Sequence, residues 1–146
     1  MKVMESGEDY LETILILQMK GNPVRSVDVA EAMNVSRASV SVAMKNLKQG
    51  GYIRMSDGYQ ISLTTKGKAL AEIMYERHLL FSNVLSSLGV DRETAMHDAC
   101  RMEHVLSAKS FRALKTYFVE NGIARQPNQT ALDGKENLHE SGKISD

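Results

Sequence analysis

The segment from Ser26 to Leu63 constrains this 146-residue chain more than any other. Ser26 can cap a short amphipathic helix over Val27 to Met33, Asn34-Val35 makes a tight turn, and Ser36 caps a second helix running to about Gln49. Gly50-Gly51 ends that helix. Tyr52 to Met55 and Tyr59 to Leu63 then read as two strands around Ser56-Asp57-Gly58, where Asp-Gly favours a hairpin because both residues can adopt positive φ. Helix, turn, helix and hairpin in this order make a winged helix-turn-helix, a unit that sets its second helix into a major groove.

That second helix has two faces. Val40, Ala43, Met44 and Leu47 can pack on the rest of the unit, while Ser36, Arg37, Ser39, Ser41, Lys45 and Lys48 offer small donors and cations. Small residues near the helix start allow close approach to base edges. Arg37 can read guanine, Lys45 and Lys48 can pair with phosphates, and the wing adds Arg54 and Tyr59. A merely solvated helix face would carry similar charges, and a helix-turn-helix can also serve protein interactions. The hairpin at the right distance favours DNA. Net charge is zero, with 18 bases and 18 acids, which argues against an indiscriminate polycation. From Lys20 to Lys68, however, the only acids are Asp28, Glu31 and Asp57, so this stretch is locally basic.

Around this unit the chain is helical. Ser6 to Lys20 is apolar almost all round and stops at Gly21-Asn22-Pro23, which predicts a largely buried first helix. After the wing, Thr64 or Thr65 caps a long helix through Met74, His78 and Phe81 to about Leu88, weakened by Gly67 and stopped by Gly89. Asp91 opens another to about Leu106. Ser107 or Ser110 starts a last one bearing Phe111, Leu114, Tyr117 and Phe118, which ends near Asn121-Gly122. The polar remainder lacks aromatic residues and periodicity and reads as a flexible tail. No apolar run approaches the roughly 20 residues of a membrane span, and the charged start does not look like a secretory signal. A cytoplasmic protein with no membrane partner is expected.

With residues stepping by about 100°, His97, Cys100, Glu103 and His104 fall within an arc of about 120° on the helix from Asp91. Ala95, Ala99, Met102 and Leu106 lie opposite. Imidazole, thiolate and carboxylate suit a transition metal better than calcium or magnesium, which prefer oxygen shells. Each residue alone has a plainer reading: Cys100 as a small core side chain, Glu103 as a solvated charge, the histidines as surface residues. Four in one arc weigh against that. Cys100 is the only cysteine and cannot close an internal disulfide, so it is a buried thiol, a reactive thiol or a ligand. Asp9 and Glu12 stand one turn apart on the stripe of Ile16 and Met19, where they would repel unless something positive sits between them. A solvent-facing acid pair complementing the helix dipole is the alternative. His78 is either a further ligand or a polar residue at a packing edge.

These residues together resemble the diphtheria toxin repressor and manganese transport regulator family of metal-dependent transcriptional repressors. The likeness runs from about Gly7 to Phe118. It is carried by Glu8-Asp9-Tyr10-Leu11-Glu12, by Ser36 to Leu47, by Leu63-Thr64-Thr65-Lys66-Gly67, and most specifically by His97-Asp98-Ala99-Cys100-Arg101-Met102-Glu103-His104-Val105-Leu106-Ser107. The resemblance implies a non-enzymatic homodimer that binds a pseudo-palindromic double-stranded DNA operator when loaded with Mn²⁺ or Fe²⁺, with Co²⁺ or Zn²⁺ as substitutes, and represses metal-uptake genes. Asp9, Cys100, Glu103 and His104 match ligands of the main activating site. Glu12 and His78 match the paired-metal site of manganese-type members, and His97 an ancillary ligand of iron-type members. Ser82 stands where that ancillary site usually has a glutamate. The chain is thus a hybrid, manganese-like at Asp9 and Glu12 and iron-like at Cys100, whose soft thiolate favours Fe²⁺, Co²⁺ or Zn²⁺ over Mn²⁺.

The expected architecture is mainly α: a winged helix-turn-helix DNA-binding domain over 1–70, an α-helical metal-binding and dimerisation domain over 71–122, and a flexible tail over 123–146. Metal would tie the first helix to the helices bearing His78 and Cys100, fixing the spacing of two reading heads in a dimer. The dimer contact is expected on the apolar faces of the last two helices, at Leu106 and Phe111. Two alternatives remain at this point. One is a winged-helix regulator sensing a small ligand or redox state through Cys100. The other is a zinc hydrolase built on the His/Glu cluster, against which stand the missing His-Glu-x-x-His motif and an unexplained wing.

Overall fold

The computed structural model describes residues 5–123, so the tail expected over 123–146 lies outside the described residues from 124 onward. In order, the elements are α1 (Glu5–Met19), α2 (Ser26–Met33), α3 (Arg37–Gln49), β1 (Ile53–Met55), β2 (Ile61–Leu63), α4 (Thr65–Ser87), α5 (Arg92–Met102) and α6 (Ala108–Glu120). The chain divides into two compact units between Tyr75 and Glu76, inside α4.

In the first unit, Leu11, Ile14 and Leu15 of α1 pack with Val24, with Val29 and Ala30 of α2, with Val40, Met44 and Leu47 of α3, and with Ile53 and Ile61 of the wing. The α1 stripe does not stay buried to its end, for Met19 is 62% exposed. Arg25, not Ser26, is the N-cap of α2: its backbone N–H donates to Asp28 Oδ2 at 2.9 Å. Asn34 then takes the left-handed conformation (φ 53) that closes the turn, its N–H directed to the Ala30 and Glu31 carbonyls. Ser36 caps α3 as expected, accepting from the Ser39 N–H at 3.1 Å.

The wing is an antiparallel pair with Ile53 opposite Leu63, Arg54 opposite Ser62 and Met55 opposite Ile61. Its turn differs from the expected one. Left-handed φ falls on Tyr59 (φ 60), not on Asp57 or Gly58. The Tyr59 N–H donates to Ser56 O (2.9 Å) and the Ser56 N–H to Gln60 O (3.0 Å), enclosing three residues rather than a two-residue turn. A loop of that length needs its last residue left-handed to rejoin the ladder, and Tyr59 occupies that position.

Thr64 links wing and helix. Its Oγ1 accepts from the Gly67 N–H (3.1 Å) and donates to Gly51 O (2.6 Å), while Lys66 Nζ donates to Gly50 O (3.1 Å) and lies 4.2 Å over the Tyr52 ring. Gly67 is therefore a contact point with the backbone of Tyr52 and not a flaw in the helix.

In the second unit, Leu80, Phe81 and Val84 of α4 pack with Ala99 of α5 and Phe111 of α6. Phe81 and Phe111 meet edge to face at 6.0 Å, and Lys115 pairs with Glu76. Phe111 is only 6% exposed and belongs to the core of this unit. Exposed apolar side chains here are Leu88, Met96, Met102, Val105 and Tyr117. Among the described residues no helix is long and apolar enough to cross a membrane.

Asp91 caps α5 by accepting from the Thr94 N–H at 2.9 Å, and this bond with the Thr94 side chain lowers its pKa below the ordinary 3.8. A depressed carboxylate stabilises the fold above the unfolded pKa and loses that contribution as pH falls through the folded one. The wild-type advantage over Asp91→Asn, an equally good cap without the charge, should therefore be present at pH 6 and smaller at pH 3. Urea denaturation at both values checks it.

Candidate metal centre and DNA-reading face

α5 ends at Met102 rather than near Leu106, and that early stop shapes the centre. Glu103 is the C-cap (φ −61, ψ −24), and the chain then turns through His104 and Val105. Glu103 itself keeps helical φ and ψ, its N–H donating to Ala99 O at 3.0 Å, so it stays on the arc read from the sequence. It has no exposed surface, and the His104 side chain is 2% exposed. Donor atoms of Cys100, Glu103 and His104 lie within 4.8 Å of one another. His104 Nε2 is 3.4 Å from Glu103 Oε1, and His78 Nδ1, from α4, is 3.2 Å from Glu103 Oε2. Glu103 thus holds its carboxylate between two imidazoles, beside a half-buried thiol.

Burying a carboxylate completely costs several kcal/mol unless positive charge or hydrogen bonds compensate, so a solvated Glu103 is ruled out. The donor set fits a transition metal. Ligands bound to one ion at about 2.0–2.3 Å stand at most about 4.6 Å apart, close to the spread found here. In the first unit, Asp9 is half-buried and Glu12 only 6% exposed, both on α1. His97 is not gathered with the others. It sits one turn nearer the start of α5, its side chain 72% exposed and Nδ1 3.6 Å from Asp98 Oδ1. The Ser82 hydroxyl donates to Leu79 O.

Sequence reasoning passed over Arg77. It is 7% exposed, and Nη1 donates both to Glu103 O (2.9 Å) and to Leu106 O (2.7 Å). An arginine immediately before a candidate ligand, between apolar Met74 and Leu80, was the available signal.

On α3 the packing stripe is Val40, Met44 and Leu47, and Ser36, Arg37, Ser39, Ser41, Lys45 and Lys48 are all exposed, as is Arg54 on β1. The exposed face also carries Val42, 61% exposed, which the sequence reading had not included. Lys48, Arg54 and Lys66 line an open pocket of about 630 Å³ between the end of α3 and the wing.

Comparison with known families accounts for both units. Residues 2–59 match the iron dependent repressor N-terminal DNA binding domain, and residues 64–120 match the iron dependent repressor metal binding and dimerisation domain. The chain belongs to the iron-dependent repressor family. The transcriptional regulator MntR of Salmonella typhimurium is 34% identical over 119 residues, covering 82% of this chain and 76% of that one. The HTH-type transcriptional regulator MntR of Bacillus subtilis is 32% identical over 137 residues, covering 92% and 96%. Among solved structures, the manganese regulator SloR superposes with a TM-score of 0.70 at 26% identity, covering 77% of this chain. This chain spans about half of that protein's length, 53%. The family is one of metal-dependent, DNA-binding transcriptional repressors and not of enzymes, which sets the hydrolase reading aside.

Proposed function

We propose that this repressor is a cytoplasmic homodimer activated by Mn²⁺ or Fe²⁺, whose reading domain over 1–70 binds a double-stranded operator of metal-uptake genes while residues 71–122 sense metal and dimerise. Cys100, Glu103 and His104, with Asp9, would hold the activating ion; Glu12 and His78 would serve a second. The single observation that carries this reading is the fully buried Glu103 carboxylate set between His78 and His104 beside Cys100. When bound, the ion supplies the positive charge that buried carboxylates need. Glu103 keeps its two oxygens directed to different imidazoles, Cys100 adds a soft donor, and Asp9 and Glu12 bring α1 under the same control. DNA affinity rises because an ordered dimer meets two half-sites together. His97 serves at most an ancillary role, since it stands in solvent.

On DNA, Ser36, Ser39 and Ser41 allow α3 close to the base edges, Arg37 reads guanine, Lys45, Lys48 and Arg54 take phosphates, and exposed Val42 offers a methyl contact to thymine. Fluorescence anisotropy of labelled promoter DNA at fixed salt tests the whole scheme. Chelated protein should bind weakly, and Mn²⁺, Fe²⁺, Co²⁺ or Zn²⁺ should raise affinity, a gain lost in Cys100→Ala. Equal binding under chelator and every metal would remove metal as the switch and leave Cys100 oxidation as the alternative. In the loaded protein, Arg37→Ala should cost about 1–3 kcal/mol and relax base preference, whereas Lys48→Ala should weaken all sequences alike and lower the salt slope by about one.

A further inference from the structure

Arg77 and His78 are consecutive on α4, and they grip the same residue in different ways. His78 Nδ1 meets the Glu103 carboxylate at 3.2 Å, and Arg77 Nη1 donates to the Glu103 carbonyl at 2.9 Å. The same Nη1 donates to the Leu106 carbonyl at 2.7 Å, so one nitrogen spans both ends of the turn that carries Glu103 and His104. That turn follows directly on the last residue of α5, where backbone carbonyls lack helical partners. A buried guanidinium satisfies the Glu103 carbonyl at that helix end and the Leu106 carbonyl beyond it at once. It is also held from its other side, 5.2 Å over the Phe111 ring in the core of the second unit.

We infer that Arg77 is a positioning residue of the metal centre, setting metal affinity by fixing the 103–106 turn without itself being a ligand. The inference rests on the metal reading proposed above. A buried cation costs free energy to desolvate, and a helix end can be satisfied by water or glycine at far lower cost. Placing an arginine there gives rigidity to the one segment whose side chains must converge within 4.8 Å. Groups that orient ligands in this indirect way typically change metal affinity by about 10–100-fold when replaced. Lysine keeps the charge but has no planar fork and a shorter reach; glutamine loses the charge and keeps one donor.

The test is Co²⁺ titration of the full chain, read by the thiolate charge-transfer and d–d bands, beside thermal unfolding of the metal-free protein. Arg77→Lys and Arg77→Gln should weaken Co²⁺ binding about 10-fold and toward 100-fold respectively, with altered d–d bands, in that order. Val84→Ala, which leaves a void in the same core, should lower the unfolding temperature while keeping wild-type Co²⁺ affinity and spectrum. If either Arg77 variant folds and binds Co²⁺ with the wild-type affinity and bands, or if Val84→Ala weakens binding equally, Arg77 has no positioning role beyond stability. If wild-type protein itself gives no Co²⁺ bands, the metal reading falls and this inference falls with it, a result distinct from the previous two.

Discussion

Glu103→Gln is expected to give a folded protein that no longer responds to metal. Glutamine has nearly the same shape and can hydrogen-bond both imidazoles, so the metal-free fold keeps its packing. It also removes a carboxylate that has no exposed surface, and with it the cost of holding that charge out of water. Metal-free Glu103→Gln should therefore melt at or above the wild-type temperature. Binding is another matter, because a neutral carboxamide is a poor ligand for Mn²⁺ or Fe²⁺ and the charge it replaces lies at the middle of the donor set. Affinity should fall more than 100-fold, beyond the range of groups that act only through other ligands. Wild-type protein with metal at 100 times its Kd gains about 2.7 kcal/mol of stability by mass action. The variant should gain almost nothing under the same conditions. Calorimetric titration and paired melting curves with metal and with chelator read both effects, and a wild-type metal increment in Glu103→Gln would eliminate Glu103 as a ligand.

Much of this centre was legible beforehand because its chemistry is written in residue types. Cys100, Glu103 and His104 are unusual neighbours, and spacing alone brought them together. What spacing missed was geometry set by helix ends. A periodic pattern through Leu106 cannot reveal that α5 stops at Met102, nor that Arg77, 26 residues before Glu103, takes the carbonyls at the turn. The same limit explains Phe111. Its helical stripe announces an apolar face, but only packing decides that Phe111 on that face meets Phe81. In the reading unit the order of elements was plain from caps and glycines, and Ser36 behaves as expected. The hairpin turn did not follow its Asp-Gly signal, because Ser56 pairs with Gln60 and moves the left-handed residue to Tyr59.

Gly67 marks the other place where local preference misleads, and it yields the largest expected effect on stability. Judged by propensity, Gly67→Ala inside the first turns of α4 should stabilise the helix by up to about 1 kcal/mol. The tertiary contact reverses the sign. The Thr64 N–H donates to Tyr52 O at 3.1 Å, the Thr64 hydroxyl holds Gly51 O, and Lys66 lies over the Tyr52 ring, so the start of α4 is drawn down onto the backbone of Tyr52. A Cβ on Gly67 would fall inside the van der Waals surface of the Tyr52 carbonyl oxygen, and a backbone atom held by these bonds has nowhere to swing. Either α4 lifts and the three contacts stretch, or the wing shifts. Overpacking of this kind costs about 2–4 kcal/mol. For a unit this size that lowers the melting temperature by more than about 10 °C. Gly58→Ala provides the contrast, since the nearest atom to its Cβ would be the Ser56 hydroxyl at 3.9 Å and its φ is not left-handed; that variant should be neutral or slightly stabilising. Thermal unfolding of the two variants side by side decides the matter: equal melting temperatures would mean that α4 does not press on Tyr52, and that the wing is not anchored to the helix through Gly67.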